Sequence, residues 1–427
     1  MDIETLYKRF RECGTVSTDT RQVETGALFI ALRGNNFDAN EFAAEALDKG
    51  AKYAVIDDPR YCKDSRFIVV ENTLTTLQCL SRHHRRQFDI PVIGINGSNG
   101  KTTTKELLNA VLSRKYKVLV TRDNLNNHIG VPLTLLGLNT SHELAVIELG
   151  ANRIGEIASL CDIAEPTHGL TTNIGKAHLE GFGGLDGAIR GEGELYRYLE
   201  QTGGTVFVNS RNEILKNLTR RIKTPISYPG ENDYFTCRLI DADPYITYSE
   251  KCGKRWQTHL IGRYNFENIA AALCIGKFFE IPAEEANKSV VDYVPENKRS
   301  QVIDKESNTI ILDAYNANPD SMQEAIRNME MIKASHKIVI LGDMYELGEY
   351  SPQEHAAIGR LLRRCHFQDI FLCGKDMEHA YKFCSQAQYF ENKQRLEQHL
   401  NTRDFAHATI LLKASRAMTF DTIVDLL

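Results

Sequence analysis

The sequence predicts an α/β protein in three domains: a small N-terminal α/β unit, a central unit with a mostly parallel sheet, and a C-terminal Rossmann-like unit. Three observations carry this. A chain of 427 residues is long for a single core. Short apolar, strand-like runs alternate with helical patterns through most of it, as expected of parallel sheets covered on both faces. Residues 90–104, IPVIGINGSNGKTTT, read as a buried strand, a glycine loop and the start of a helix. The expected domain limits are 1–88, 89–294 and 295–427.

The glycine loop is the most specific feature. Ile90, Val92, Ile93 and Ile95 form the apolar run, and Leu107, Leu108, Val111 and Leu112 form the stripe of the helix that follows. A loop at a helix N-terminus suits a triphosphate, because unpaired N–H groups and the positive end of the helix dipole point into it and glycines let the backbone approach phosphate oxygens. The general pattern is G-x-x-x-x-G-K-[ST]; Ile95 stands at its first glycine, so the match is to the shorter G-x-x-G-K-T-T. Gly97, Ser98, Asn99, Gly100, Lys101, Thr102 and Thr103 are the candidate nucleotide contacts, with Lys101 reaching the outer phosphates and the Thr102 hydroxyl holding Mg²⁺.

Composition narrows the rest. Fifty-one Lys plus Arg against 56 Asp plus Glu give a net charge of −5, which argues against a nucleic-acid groove or a polybasic membrane patch. MDIETLYKRF lacks the layout of a secretion signal, and no apolar stretch approaches the length of a bilayer span, so a cytoplasmic protein is expected. Ten cysteines without a C-x-x-C pair fit free thiols in a reducing compartment better than disulfides or a zinc site.

In chain order, residues 26–32 and 52–56 read as strands with a short helix over 41–47, and 67–70 as a strand before a helix carrying Leu74, Leu77, Leu80 and His84. Ahead of them Ser17, Thr18, Asp19, Thr20 and Arg21 gather hydroxyls, an acid and a base; such a run binds a pyrophosphate or sugar, or forms a turn and cap. Residues 144–149 form a buried strand ending in Glu148, where open α/β sheets bind ligands; it either holds Mg²⁺ or faces solvent. His178 stands in a glycine-rich loop after strand 169–172, as a metal ligand or phosphate contact. Glu192 and Glu194 are read as opening a helix, where both would complement its dipole. Residues 262–279 form a helix with Asn265 and Asn268 three apart near its start. In the last unit, strands 310–312, 339–341, 370–372 and 410–412 alternate with helices, and no G-x-G-x-x-G points to NAD.

The chain resembles the Mur ligases, ATP-dependent amide-forming enzymes of peptidoglycan synthesis. The resemblance rests on STDTR at 17–21, GSNGKTTTKE at 97–106, NNHIGVPLTLL at 126–136, VIELGAN at 146–152, AHLEGFG at 177–183, GRYNFENIAAA at 262–272, LDAYNANPDSM at 312–322, GDMYELGEYSPQEH at 342–355 and LLKASRAM at 411–418. DAYNANPDSM and GDMYELG are similar to the members that add D-alanyl-D-alanine, and the Asn-Pro-Arg signature of diaminopimelate-adding members is missing. A folylpolyglutamate-type ligase has no use for a separate unit with STDTR, and a P-loop regulatory ATPase is the alternative outside ligases.

The resemblance implies transfer of the γ-phosphoryl group of ATP to the terminal carboxylate of UDP-N-acetylmuramoyl-tripeptide, then attack by the amine of D-alanyl-D-alanine, by a monomer that touches neither nucleic acid nor membrane. It further implies that Thr102 and Glu148 ligate the ATP-linked Mg²⁺ and His178 the second ion, that Asn268 recognises adenine and Asp313 ribose, and that Arg299 and Lys413 stand near the γ-phosphate and the dipeptide. Ser17, Thr18 and Arg21 belong to the implied UDP-sugar site, and Asn127, Asn316 and Asn318 to the substrate contacts. One departure matters. Where most members carry a lysine carbamylated by CO₂ beside the second metal, this chain has Glu192, and no lysine occurs between Leu179 and Leu215. The expectation is that the Glu192 carboxylate replaces the carbamate as a fixed anion, a bridging water or a displaced helix making up the distance; the alternative is a dipole-complementing glutamate, with the metal held by His178 and Glu148 alone.

Overall fold

The computed structural model describes residues 2–34 and 36–427. Its N-terminal unit is a four-stranded parallel sheet in the order Val16–Ser17, Leu28–Ile30, Tyr53–Ile56, Phe67–Val69. The helix Ile3–Cys13 starts where the Asp2 carboxylate accepts the Thr5 N–H and stops at Gly14, in the left-handed region. It packs on the helix Thr73–Arg85, whose Leu77 and Leu80 share one cluster with Leu136 of the next unit. His84, on that helix, is buried with its ring between the Tyr7 hydroxyl at 3.0 Å and the Leu138 carbonyl at 2.9 Å, so it joins the two units.

The central sheet is six-stranded and parallel, ordered Ile226–Tyr228, Thr205–Asn209, His168–Thr171, Val92–Asn96, Leu144–Glu148, Val118–Val120. Strands buried on both faces explain their continuous apolar runs. The helix Asn265–Phe278 is buried on nearly every side because it lies against the helix Lys101–Leu112 on one flank and the antiparallel sheet Cys237–Ala242, Tyr245–Glu250, Arg255–Ile261 on another.

Glu192 does not open a helix. It closes the helix Leu185–Glu192, and the helix Glu194–Thr202 begins after Gly193, so Glu192 sits at the negative end of a dipole it was expected to complement. Glu194 does serve as a cap, but for another helix: its carboxylate accepts the Gly155 and Ala158 N–H groups at 2.7 and 2.9 Å, at the start of Glu156–Ala164.

The C-terminal sheet runs Gln301–Lys305, Asn308–Asp313, Ala408–Lys413, His336–Gly342, Asp369–Cys373, Gln388–Phe390, parallel except for its first strand. The chain passes from Asn308–Asp313 to His336–Gly342 across the later strand Ala408–Lys413, so that Asp313 and Lys413 stand side by side at the C-terminal ends of neighbouring strands, where open α/β sheets bind ligands. Asp343, just past the central strand, is buried and accepts the Met377 N–H at 2.8 Å. Burial pushes its carboxyl up to about 6, against the pull of that bond. Between pH 4 and 6 the folded chain therefore keeps a proton that the unfolded chain releases, and stability falls as pH rises through this window. Urea unfolding from pH 4 to 7 should show wild type losing about 3 kcal/mol relative to Asp343→Asn; parallel profiles would refute the burial argument.

Candidate active site

The C-terminal ends of the central and C-terminal sheets face one another across a cavity of about 1120 Å³, and residues from both units line it. The loop at its floor follows the buried strand Val92–Asn96 and leads into the helix Lys101–Leu112. Its glycines are required by close approach. Gly97 has φ +125°, and a Cβ there would stand 2.3 Å from Thr172 Oγ1; Gly100 has φ +81°, and a Cβ would stand 2.5 Å from Asn268 Oδ1. The loop is tied to residues 172–175: Ser98 N donates to the Asn173 carbonyl at 2.8 Å, Asn99 N to Asn173 Oδ1 at 3.0 Å, and the Thr172 hydroxyl to the Asn99 carbonyl at 2.6 Å. Lys101 Nζ folds back on the Gly97 and Ser98 carbonyls at 2.5 and 3.4 Å. An ammonium held at the mouth of a glycine loop can neutralise phosphate oxygens there.

Glu148 does not face solvent; it is 1% exposed. Its Oε1 accepts from Thr102 Oγ1 at 3.2 Å and Asn126 Nδ2 at 2.8 Å, while Oε2 has no hydrogen-bond partner among the described residues and lies 3.8 Å from Lys105 Nζ. Lys105 is itself wholly buried, donating to the Thr121 carbonyl at 2.7 Å. A buried carboxylate oxygen without a donor, beside a threonine hydroxyl, is a hard-oxygen pair of the kind Mg²⁺ takes. His178, at φ +51°, stands elsewhere: its Nδ1 is 2.5 Å from Glu346 Oε2 of the C-terminal unit, a charge contact without hydrogen-bond alignment. His178 in turn holds the Glu346 carboxyl below its usual range. Among the described residues no three His, Cys, Asp or Glu side chains gather to hold a metal.

Glu192 is absent from the cavity wall. Its carboxylate lies beneath the loop, accepting the Gly97 N–H at 3.0 Å and Asn96 Nδ2 at 2.8 Å. Burial raises its pKa, opposed first by the charge of Lys101. The anion expected beside a second metal is thus turned to the underside of the phosphate loop. Asn268 lines the cavity, with Oδ1 accepting from Thr104 Oγ1 at 3.2 Å and Nδ2 donating to Asn265 Oδ1 at 2.8 Å, so the two amides expected to offer contacts from one face bond to each other.

On the opposite wall Asp313 pairs with Lys413 at 2.6 Å, and Lys413 also donates to the Asn316 carbonyl at 3.2 Å. Asn318 caps the helix Pro319–Met331 and reaches across the cavity, Nδ2 donating to Asn99 Oδ1 at 2.8 Å. The Arg299 guanidinium lies 3.8 Å from the Tyr315 ring centroid and that of Arg416 5.2 Å from it; neither Arg has an acidic partner among the described residues, and Arg299 Nε is buried without an acceptor. Thr103 and Asn127 also line the cavity, though the Asn127 carboxamide already accepts the Ile129 and Gly130 N–H groups at 3.0 and 2.9 Å. Ser17, Thr18 and Arg21 do not reach it. There the turn-and-cap geometry is explicit: Asp19 accepts from the Arg21 N–H at 2.9 Å, and its carboxyl is held down at about 2 chiefly by the Arg21 guanidinium.

Sequence reasoning missed Arg416, Tyr315, Asn126, Lys105 and Lys176. Lys176 Nζ pairs with the buried Glu354 at 2.7 Å, and its N–H donates to Asp320 Oδ2 at 2.6 Å. Only Lys105 carried a local signal, one helical turn beyond Lys101.

A glycine loop for a nucleotide triphosphate, closed over by a Rossmann-like unit that supplies cations, defines a class of phosphate-loop protein working across a domain cleft. The chain belongs to the Mur ligase family: the Mur ligase middle domain matches residues 95–276, the Mur ligase glutamate ligase domain 298–423, and the Mur ligase family catalytic domain 13–92. It is 32% identical to the UDP-N-acetylmuramoyl-tripeptide–D-alanyl-D-alanine ligase of Bacillus subtilis over 96% of this chain and 92% of that one. Among solved structures, MurF from Acinetobacter baumannii superposes with a TM-score of 0.88 at 30% identity over 99% and 98% of the two chains. MurF from Thermotoga maritima in complex with ADP gives 0.86 at 25% identity over 96% of each.

Gly100→Ala puts a methyl group against the Asn268 amide at a left-handed φ, so titration with a fluorescent ATP analogue should show affinity lowered about tenfold or more. Unchanged affinity would show that the loop is not held as described.

Proposed function

We propose that this chain joins D-alanyl-D-alanine to UDP-N-acetylmuramoyl-tripeptide with hydrolysis of ATP to ADP and phosphate. The observation that supports this most is the cavity itself, with the glycine loop and Lys101 on one side and, on the other, Arg299 and Arg416, which have no acidic partner among the described residues. A carboxylate is a poor electrophile. One of its oxygens attacks the γ-phosphorus, ADP leaves, and the acyl phosphate meets the dipeptide amine; the C–N bond forms, the amine loses a proton, and phosphate departs with the oxygen that the carboxylate supplied.

Both steps concentrate negative charge, and the residues divide that burden. Backbone N–H groups of Gly100, Lys101, Thr102 and Thr103, with the Lys101 ammonium, hold the outer phosphates, while Ser98 and Asn99, whose N–H groups are taken by Asn173, shape the loop. Thr102 and Glu148 would hold Mg²⁺, which supplies charge neutralisation and orientation to the phosphates when bound; the unpartnered Glu148 Oε2 fits that role. His178, in contact with Glu346, would be the residue to hold a second ion, which would add charge neutralisation beside the transferred phosphoryl group. Asn268 borders the adenine and Asp313 the ribose. Arg299 faces the transferred phosphoryl group, while Lys413, Asn316, Asn318 and Arg416 border the incoming dipeptide. Asn127 and the Ser17, Thr18, Arg21 cluster take the UDP-sugar arm, and the domain limits 1–88, 89–294 and 295–427 assign one substrate principally to each unit. The reaction proceeds in the cytoplasm, by a monomer. No helix among the described residues is long and apolar enough to cross a membrane.

Purified protein given ATP should release phosphate only when both the UDP-tripeptide and D-alanyl-D-alanine are present, and a regulatory ATPase would release it without them. In the same assay Lys101→Ala should lower turnover roughly 10²- to 10³-fold, about 3–4 kcal/mol in barrier height. Phosphate release indifferent to the dipeptide would overturn the reading.

A further inference from the structure

Glu192 is a carboxyl side chain with no place in the reaction described above, yet it is 2% exposed and one of its oxygens takes two donors. Its Oε2 takes the Gly97 N–H and Asn96 Nδ2, and the same amide nitrogen donates to the Glu192 main-chain carbonyl at 2.7 Å. The other end of that amide is also fixed, since Asn96 Oδ1 accepts the Thr171 hydroxyl at 2.8 Å. The end of the helix Leu185–Glu192, the end of the strand Val92–Asn96 and the first residue of the phosphate loop thus meet at one carboxylate.

Gly97 is the residue whose orientation matters. At φ +125° its N–H points below the loop rather than into the cavity, a direction that is tolerable in a buried place only with an acceptor there. A glutamate supplies one acceptor oxygen for two donors without bringing a donor of its own. Its negative charge does nothing for a polyanion bound above it; Coulomb repulsion works against binding and is offset by Lys101. What the site requires of Glu192 is therefore its oxygen and its shape, not its charge.

We propose that Glu192 is a positioning residue, a buried strut that fixes Gly97 and Asn96 and so sets the phosphate loop in its binding shape without touching nucleotide or metal. This rests on the loop being the nucleotide site. Two variants separate it from a metal-side anion. Glu192→Met keeps the volume and removes the acceptor; Glu192→Gln keeps an acceptor oxygen and removes the charge. In the Met variant, hydrogen–deuterium exchange over residues 92–101 should rise at least about tenfold, and KM for ATP should rise roughly 10- to 100-fold, the cost of leaving buried N–H donors without their acceptor. KM values for the other two substrates should stay within about twofold. The Gln variant should restore both readouts to within about threefold of wild type. Should the Met chain fail to fold, Glu192→Ala, which adds a cavity instead of an apolar branch, takes its place with the same expectations. Exchange unchanged in the acceptor-free variant, or a Gln variant as impaired as Met, would overturn the proposal. The exchange readout needs no ligand, so it stands even if the loop turns out to bind something other than ATP.

Discussion

Negative charge has to be gathered and held still at one point, the loop Gly97–Thr102, and the surrounding structure is arranged by that requirement. An isolated buried ion costs several kcal/mol even after relaxation, and the site contains four ionic groups almost out of water: Lys105, Glu148, Glu192 and Lys413, the last paired with Asp313. Each has a specific counterpart. Lys105 is satisfied by the Thr121 and Asp123 carbonyls and stands behind Glu148; Glu192 sits beneath Gly97 with Lys101 near enough to offset it. Among the described residues Glu148 Oε2 has no hydrogen-bond donor and the guanidiniums on Tyr315 have no acidic partner, and all of these border the cavity. The excess capacity therefore points where the substrates enter.

The second requirement is that the two walls stay in register. Asn318 to Asn99, Lys176 to Glu354 and Asp320, and His178 to Glu346 are all contacts between the central and C-terminal units, and they surround the loop rather than lying far from it. A loop so tied on its far side leaves catalysis to positioning and electrostatics, as phosphoryl transfer demands.

Much of this was legible in the sequence, and the reason is locality. The strand, the glycine loop and the helix are adjacent in the chain, so a fifteen-residue stretch specifies both fold and chemistry. Glu148 was legible because a carboxylate at the end of a buried strand has few other places to be. The remainder depended on long-range pairing. Asn99 and Asn318 lie 219 positions apart and Lys176 and Glu354 178, with nothing near either residue to announce the partner. Glu192 was misplaced because GEGEL reads equally as the end of one helix or the start of another; only the packing that puts Gly193 between two helices decides it. The Ser17, Thr18 and Arg21 cluster shows the converse: its local bonds through Asp19 are what a turn needs, and a ligand role leaves no local trace beyond them.

The central claim is that the carboxyl group is activated by taking the phosphoryl group at this loop. Tripeptide substrate labelled with ¹⁸O in its terminal carboxylate tests it most directly. If the acyl phosphate forms, the inorganic phosphate released by one ligation carries one ¹⁸O atom for each fully labelled carboxylate consumed; phosphate released without label, alongside amide product, would contradict the account.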